Sequence, residues 1–255
     1  MFSSSKEVCI EAINLRSIKL NGFKLLVVYS REYGLLKLSG SKLGGRSEPF
    51  VHNLYWIGMG SEEIHRIKQS EFQDYYREIT SDFTRLSCAS TMAEILEQCT
   101  HFHEEQSAAI FGLFRESLTL LNHRDKPEKS ILLNFLWRIC ELIGYGVNLR
   151  LCGYEGRDCA LSRDLQKVEA WLDLDHGGIS CSTCTMLRPG HSIEVLPNIY
   201  QAMLALKEGH YECTQNASTH FLINLLLRHI QNQTDRKLKS VDLLKDALSE
   251  PKALK

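Results

Sequence analysis

Residues 22–40 read GFKLLVVYSREYGLLKLSG. Two runs dense in leucine, valine and tyrosine, Gly22–Ser30 and Gly34–Gly40, flank the polar break Arg31-Glu32-Tyr33. Short apolar runs bounded by Gly, Ser and charged residues read as β-strands joined by a tight turn. Outward from this pair, Val8–Arg16, Pro49–Ile57 and Glu63–Ser70 repeat the composition, giving five short strands in the first seventy residues. Five strands with tight turns suit a small Greek-key barrel of the oligonucleotide-binding (OB) type, although an SH3-like barrel would give a similar string. Alternation is imperfect in the first strand and in the last, where Ile64, Arg66 and Lys68 interleave with His65, Ile67 and Gln69, so no register is assigned.

After Phe72 the period changes. Phe83, Leu86, Ala89, Met92, Ala93, Leu96 and Cys99 recur at three and four residues, the spacing of one helix face. Ile110, Phe111, Phe114, Leu118 and Leu121 mark a second helix. A third follows Asp125, with Pro127 in its first turn and Gly144 as a left-handed stop. Apolar around most of its circumference, it is expected at the centre of a helical bundle. Two more helices are expected near Ile193–Lys207 and Thr219–Asn232. The expected class is therefore α+β: a barrel domain over 1–72, then a helical domain over 73–255 with a cysteine-rich insertion at 145–190.

Composition narrows the function. The 255 residues are 44% hydrophobic and 24% charged, which excludes a disordered chain, and a net charge of −1 excludes a uniformly basic coat protein. No apolar run reaches membrane-spanning length, and the N-terminus lacks the apolar core of a secretion signal. Nine cysteines, an odd number, point to a reducing compartment, so a cytoplasmic protein is expected. The G-x-S-x-G, G-x-x-x-x-G-K-[ST] and G-x-G-x-x-G signatures are absent. His103-Glu104 opens like a zinc protease helix, but Ser107 stands where the second histidine would be. A non-enzymatic protein is expected.

Between Tyr145 and Gly190 periodicity fades, and a segment this long needs another source of order. Cys181-Ser-Thr-Cys184 has the C-x2-C spacing that points two thiolates at one tetrahedral ion; Cys152 and Cys159, six residues apart, are the candidate second pair. Glu155, His176 and His191 are nearby alternatives, and a set of inert buried thiols is the competing reading. Four protein ligands would leave no open position, making zinc structural. A zinc deaminase is disfavoured because Ser180, not Pro, precedes Cys181 and no H-x-E lies near.

Charge is uneven. Residues 1–46 hold eight Lys and Arg against three acids, with Phe23, Tyr29 and Tyr33 among them. Cations tracking phosphates beside aromatic stacking faces are what a sequence-tolerant single-strand binder needs. Lys24, Arg31, Lys37, Lys42 and Arg46 are the candidate DNA-binding residues; a merely solvated face is the alternative. A second basic group, Arg228, Arg236, Lys237 and Lys239, is the candidate rim of an apolar groove that docks a protein partner.

Several motifs, collinear along the chain, resemble the bacterial RecO recombination-mediator family. Ala12-Ile13-Asn14-Leu15-Arg16 and Ser30-Arg31-Glu32-Tyr33-Gly34-Leu35 are similar to the family's opening strands and turn, and Glu48-Pro49-Phe50 to its "L-E-P-F" strand entry. Phe135-Leu136-Trp137-Arg138 through Glu141-Leu142-Ile143-Gly144-Tyr145, then Leu149 and Cys152, resemble its central-helix signature. Gly177-Gly178-Ile179-Ser180-Cys181 with Cys184 resembles its cysteine knuckle, and Arg236-Lys237-Leu238-Lys239-Ser240 its C-terminal basic motif.

The resemblance implies an N-terminal OB barrel, a helical bundle and a zinc-ribbon-like insertion. It also implies binding of single-stranded DNA, with double-stranded DNA as a second form. Strand annealing is implied too, as is action with RecR and the C-terminal tail of single-strand binding protein to load recombinase. Three departures stand out. Glu155 occupies the usual second-cysteine position, the Ser41–Ser47 loop carries only Lys42 and Arg46 as charges, and Gly146-Val147-Asn148 lacks the customary proline. A protein scaffold making little DNA contact is the alternative function.

Overall fold

The structure is a computed structural model; it describes residues 6–20, 23–41, 43–59, 63–102, 105–123, 127–152, 170–175, 177–181, 192–210 and 216–248. Five strands, β1 (Lys6–Leu20), β2 (Phe23–Ser30), β3 (Gly34–Gly40), β4 (Val51–Met59) and β5 (Ile64–Tyr75), close into a barrel of order β1-β2-β3-β5-β4. Every pairing is antiparallel except β3 with β5, where Lys37–Ser39 run parallel to Ile64–Arg66. Alternate residues point inward: Ile10 and Ala12, Leu26 and Val28, Leu36 and Leu38, Tyr55 and Ile57 fill the interior, and Leu43 closes one end.

The outward set explains the imperfect alternation of the first strand. Ile13, Val27 and Tyr29 point away from the barrel interior yet are buried. Helices α2 (Phe83–Cys99) and α3 (Ser107–Asn122) cover them, packing on β1 and β2. A strand buried on both faces loses its polar alternate positions and reads as a continuous apolar run. A bulge at Asn14/Arg16 shifts the β1 register, and Leu15 is buried as well.

The short α1 (Arg77–Ser81) leads into α2, whose N-cap Asp82 accepts the Arg85 amide at 2.9 Å. A helix not foreseen in the sequence, α7 (Ser240–Leu248; α4–α6 follow below), packs on α2. The Glu94 carboxylate accepts the Lys239 and Ser240 amides at 2.9 and 2.7 Å, satisfying two orphan donors at its positive end.

Compactness divides the chain into residues 1–128 with 238–255, and residues 129–237. The change of period expected near residue 72 marks instead the change of secondary structure between Tyr75 and Arg77. The helices are divided between the two units. The second unit holds α4 (Glu128–Leu142), α5 (Pro197–Lys207), α6 (Asn216–Thr234) and a four-stranded sheet. Its strands are β6 (Asn148–Cys152), β7 (Ala170–Asp173), β8 (Gly178–Cys181) and β9 (Ser192–Val195), in the order β6-β8-β7-β9.

The α4 core runs nearly around the helix, with Ile131, Leu132, Leu133, Phe135, Leu136, Trp137, Ile139 and Cys140 all buried. Gly144, at φ 84°, ends it as expected, the Tyr145 amide reaching back to the Cys140 carbonyl at 2.7 Å. Two expectations need correction. Part of 145–190, expected to lack regular structure, forms β6, β7 and β8. Ser192–Val195, placed at the start of a helix, is a strand, and α5 begins only at Pro197. Strands of four or five residues hold too few positions to show a period.

Candidate nucleic-acid interface

The helices leave part of the barrel's outer face open. Beyond Val27 the outward residues of β2 are Leu25 and Phe23, paired with Ile18 and Leu20 of β1. Leu20 is 44% and Phe23 42% exposed, so an aromatic ring and an aliphatic side chain stand in solvent at this end of the sheet. Beside them, Lys37 and Ser39 point outward from β3, in register with Ile64 and Arg66 of β5. Arg66 is exposed and forms no ion pair among the described residues. Lys37 pairs with Glu63, whose carboxyl that bond holds below its ordinary range; Lys68 pairs with Glu7 at 2.7 Å.

The five cations singled out in the sequence do not form one patch. Lys24 sits on the inward side at the barrel end, where its ammonium donates to the Ser47 hydroxyl. Arg31, in the turn at the other end of β2, bonds Glu11 at 3.1 Å. Glu11 also takes Arg115 at 3.3 Å and His52 at 3.1 Å, yet burial keeps the His52 pKa below its ordinary value. Arg46 lies in a 3-10 turn, Gly44–Ser47, and donates to the Ser70 carbonyl at 2.7 Å. Lys42 lies outside the described residues. Of the aromatics, Tyr29 is buried, and Tyr33 is half-buried against Phe102 with ring centroids 6.1 Å apart. Of the three, only Phe23 offers a stacking face.

A buried polar network holds the Arg46 turn. Asn14, Asn53 and Tyr55 are each 0% exposed. Asn14 Nδ2 donates to the Arg46 and Glu48 carbonyls at 2.7 and 2.9 Å, and the Tyr55 hydroxyl donates to Asn14 Oδ1 at 2.8 Å. Asn53 Nδ2 donates to the Tyr55 oxygen and the Arg46 carbonyl at 2.9 and 3.1 Å. Burial pushes the Tyr55 phenol well above its ordinary pKa, so it is a neutral donor.

Arg66 is not among the residues that the sequence singles out. Its signal lies in the alternation of Ile64, Arg66 and Lys68, beyond the basic stretch that ends at residue 46, and a strand's outward side is known only once its register is.

In the second unit, Arg228, Gln231 and Asn232 share one face of α6, the last two spaced three and four residues from the first, and Asp235 follows just past the helix end. They line a cleft of about 630 Å³ together with Arg236, Lys237 and Leu174. Three of the four rim residues expected from sequence are thus brought together; Lys239 is not among them. The cleft is polar rather than apolar, because Leu222, Leu225, Leu226 and Ile230 of α6 are spent on the core.

Of the candidate zinc ligands, Cys159 and Cys184 lie outside the described residues, as do Glu155, His176 and His191. Cys152 and Cys181 lie on the adjacent strands β6 and β8, Cys152 in register with Ile179, two residues before Cys181. Among the described residues no three potential metal ligands converge. Among them, too, no helix is long and apolar enough to cross a membrane.

Residues 80–242 match the family model described as Recombination protein O C terminal. A "DNA repair protein RecO" from Trichodesmium erythraeum is 27% identical over 66% of this chain and 63% of its own length. A "DNA repair protein RecO" from Synechococcus sp. is 24% identical over 98% of this chain and 93% of its own. These matches define the class, proteins of DNA repair and recombination. The chain belongs to the RecO family.

Proposed function

We propose that the chain is a non-enzymatic recombination mediator whose barrel, of the OB type, holds single-stranded DNA on its open outer face. One observation carries this reading: exposed Leu20 and Phe23, on β1 and β2, lie beside Lys37 and Arg66 on β3 and β5, and OB barrels bind oligonucleotides on strands 2 and 3 and the adjoining loops. The strand order and the short turn between β3 and β4 support the OB assignment. Annealing needs no catalytic group. Neutralising phosphates lowers the repulsion between two strands, and base pairing supplies the driving force.

Action with RecR and with the tail of single-strand binding protein to load recombinase belongs to the same reading, supported by family membership. So does structural zinc on Cys152, Cys159, Cys181 and Cys184; the β6–β8 register, which puts Cys152 and Cys181 on neighbouring strands, supports it, and elemental analysis of the purified protein is its test.

Binding of a fluorescent oligothymidylate, followed by anisotropy against salt, tests the DNA reading. Phe23→Ala is expected to weaken binding by roughly 5- to 150-fold, the cost of about 1–3 kcal/mol for one lost stacking contact. Lys37→Gln with Arg66→Gln is expected to flatten the log–log salt slope by about 1.4, two phosphate contacts at about 0.7 each. The pairing of Lys37, Lys68 and Arg31 with the protein's own carboxylates favours the second reading, a scaffold with little DNA contact. Variants that bind like the wild type would decide for it.

A further inference from the structure

The polar cleft at the end of α6 has no part in the barrel's chemistry, and its construction is specific. Asp235 takes the left-handed conformation at φ 50°, and the Arg236 amide reaches back to the Gln231 carbonyl at 3.2 Å. That reversal turns Arg236 and Lys237 to the side of the helix that carries Arg228. The opposite wall is pinned: Asn232 Nδ2 and Gln233 Nε2 both donate to the Leu174 carbonyl, at 2.9 and 2.6 Å. Three cations face one lining carboxylate, that of Asp235.

We propose that this cleft is a phosphate-binding site that grips the sugar–phosphate backbone of a nucleic acid, a contact separate from the barrel. It rests on the reading of the chain as a DNA-binding protein. A peptide anchored by apolar side chains would need apolar walls, and Leu174, itself buried, is the only apolar residue lining the cleft among the described residues. A phosphodiester needs what is there: guanidinium forks that meet two oxygens at once and a lysine point charge. Arg228, Arg236 and Lys237 are exposed, so their charges meet a ligand without unfolding.

The test uses the full chain and the oligothymidylate probe. Arg228→Gln with Lys237→Gln is expected to flatten the salt slope by about 1.4, additively with the Lys37 and Arg66 changes. Arg228→Lys with Lys237→Arg keeps the charge and should restore the slope. On the wild type, photocrosslinking of a 4-thiothymidine oligonucleotide should label the peptide spanning 228–237, an observation that does not depend on any variant folding. An unchanged slope with no label there overturns the cleft while leaving the barrel reading in place. Loss of binding in the barrel variants alone likewise overturns the cleft and keeps the barrel. No binding by the wild type even at low salt overturns both. A label displaced by an acidic peptide, but not by unlabelled oligonucleotide, would assign the cleft to a protein partner and overturn the proposal.

Discussion

Asn14→Leu is expected to destabilise the barrel unit by about 2–4 kcal/mol, read as a lower urea midpoint with unchanged denaturant slope. Leucine keeps the branching of asparagine but its methyl groups are bulkier, so the effect combines the lost hydrogen bonds with some overpacking. Asn14 closes β1 onto the segment leading to β4 through two donated bonds, and its Oδ1 accepts from Tyr55. After the change the Glu48 carbonyl loses this donor and the buried Tyr55 hydroxyl loses its nearer acceptor, keeping only the Arg46 carbonyl at 3.3 Å. A buried group left unpaired costs about 1–3 kcal/mol, more than the net value of the bond it made. Tyr55→Phe keeps both bonds donated by Asn14 and removes those the hydroxyl makes to Asn14 and accepts from Asn53, whose amide still donates to the Arg46 carbonyl, so it should cost less.

The consequence reaches the surface. The Arg46 carbonyl is the common acceptor of Asn14 and Asn53, and Ser47, the next residue, accepts from Lys24. A loosened 44–47 turn should release both cations, so protease sensitivity near Arg46 should rise together with the fall in stability. A midpoint within error of the wild type would show that the Asn14 bonds contribute nothing and that the turn is held by Leu43 packing and by the bonds of Arg46 to Ser70 and Lys24 to Ser47.

The second large effect is expected at Gly177, between β7 and β8. Its φ of 63° is left-handed, and a Cβ built there would lie 3.2 Å from His229 Cε1 and 3.9 Å from the Gly146 carbonyl oxygen. The backbone has no slack, since the Gly177 carbonyl accepts the Asn148 amide at 2.8 Å and its own amide donates to the Asp173 carbonyl at 3.0 Å. Gly177→Val combines a left-handed β-branched residue, at about 1–2 kcal/mol, with overpacking at about 1–3 kcal/mol. A loss of about 2–5 kcal/mol in the second unit is expected, and Gly177→Ala should lose less. Amide exchange of α6 and β8 reads it: protection should collapse there while the barrel strands keep theirs.

The same contact carries a pH dependence. His229 is 0% exposed, and its Nε2 faces the Tyr145 carbonyl at 2.8 Å, so Nε2 bears the proton and donates. Nδ1 has no partner among the described residues, and burial holds the ring's pKa below its ordinary value. The unfolded chain therefore binds a proton near pH 6.5 that the folded chain refuses until lower pH. Stability from this group is complete above about pH 6.5 and is lost as pH falls through the folded value. His52 acts in the same direction. His229→Gln, whose amide can still donate to Tyr145, should reduce the slope of unfolding free energy against pH below about 6.5, leaving the part due to His52. An identical slope in the variant would mean that His229 titrates alike in both states.

How much of this is legible in the chain depends on what each feature rests on. The five strands, the long α2, α3 and α4, and the left-handed end at Gly144 rest on local pattern, and the motif order of the RecO family is readable end to end. The short strands β6–β9 are not, because each holds too few residues to declare a period, and α7 is short and hidden behind a basic cluster. Among the candidate site residues, Phe23 and Lys37 stand on the open face and Tyr29 is buried. Arg66 joins them only through the pairing of β3 with β5.

The sequence by itself determined which of the longer segments become strands and helices and which family the chain resembles, since period and motif order are properties of neighbours along the chain. Only the tertiary structure decided which charges share a surface. Lys24, Arg31 and Arg46 were drawn to Ser47, Glu11 and Ser70, while Arg228, Arg236 and Lys237 met in one cleft. A side chain's partners are set by strand register, by the turn that reverses the backbone after Asp235, and by which face the helices cover. Those are distances in space, which spacing along the chain does not encode.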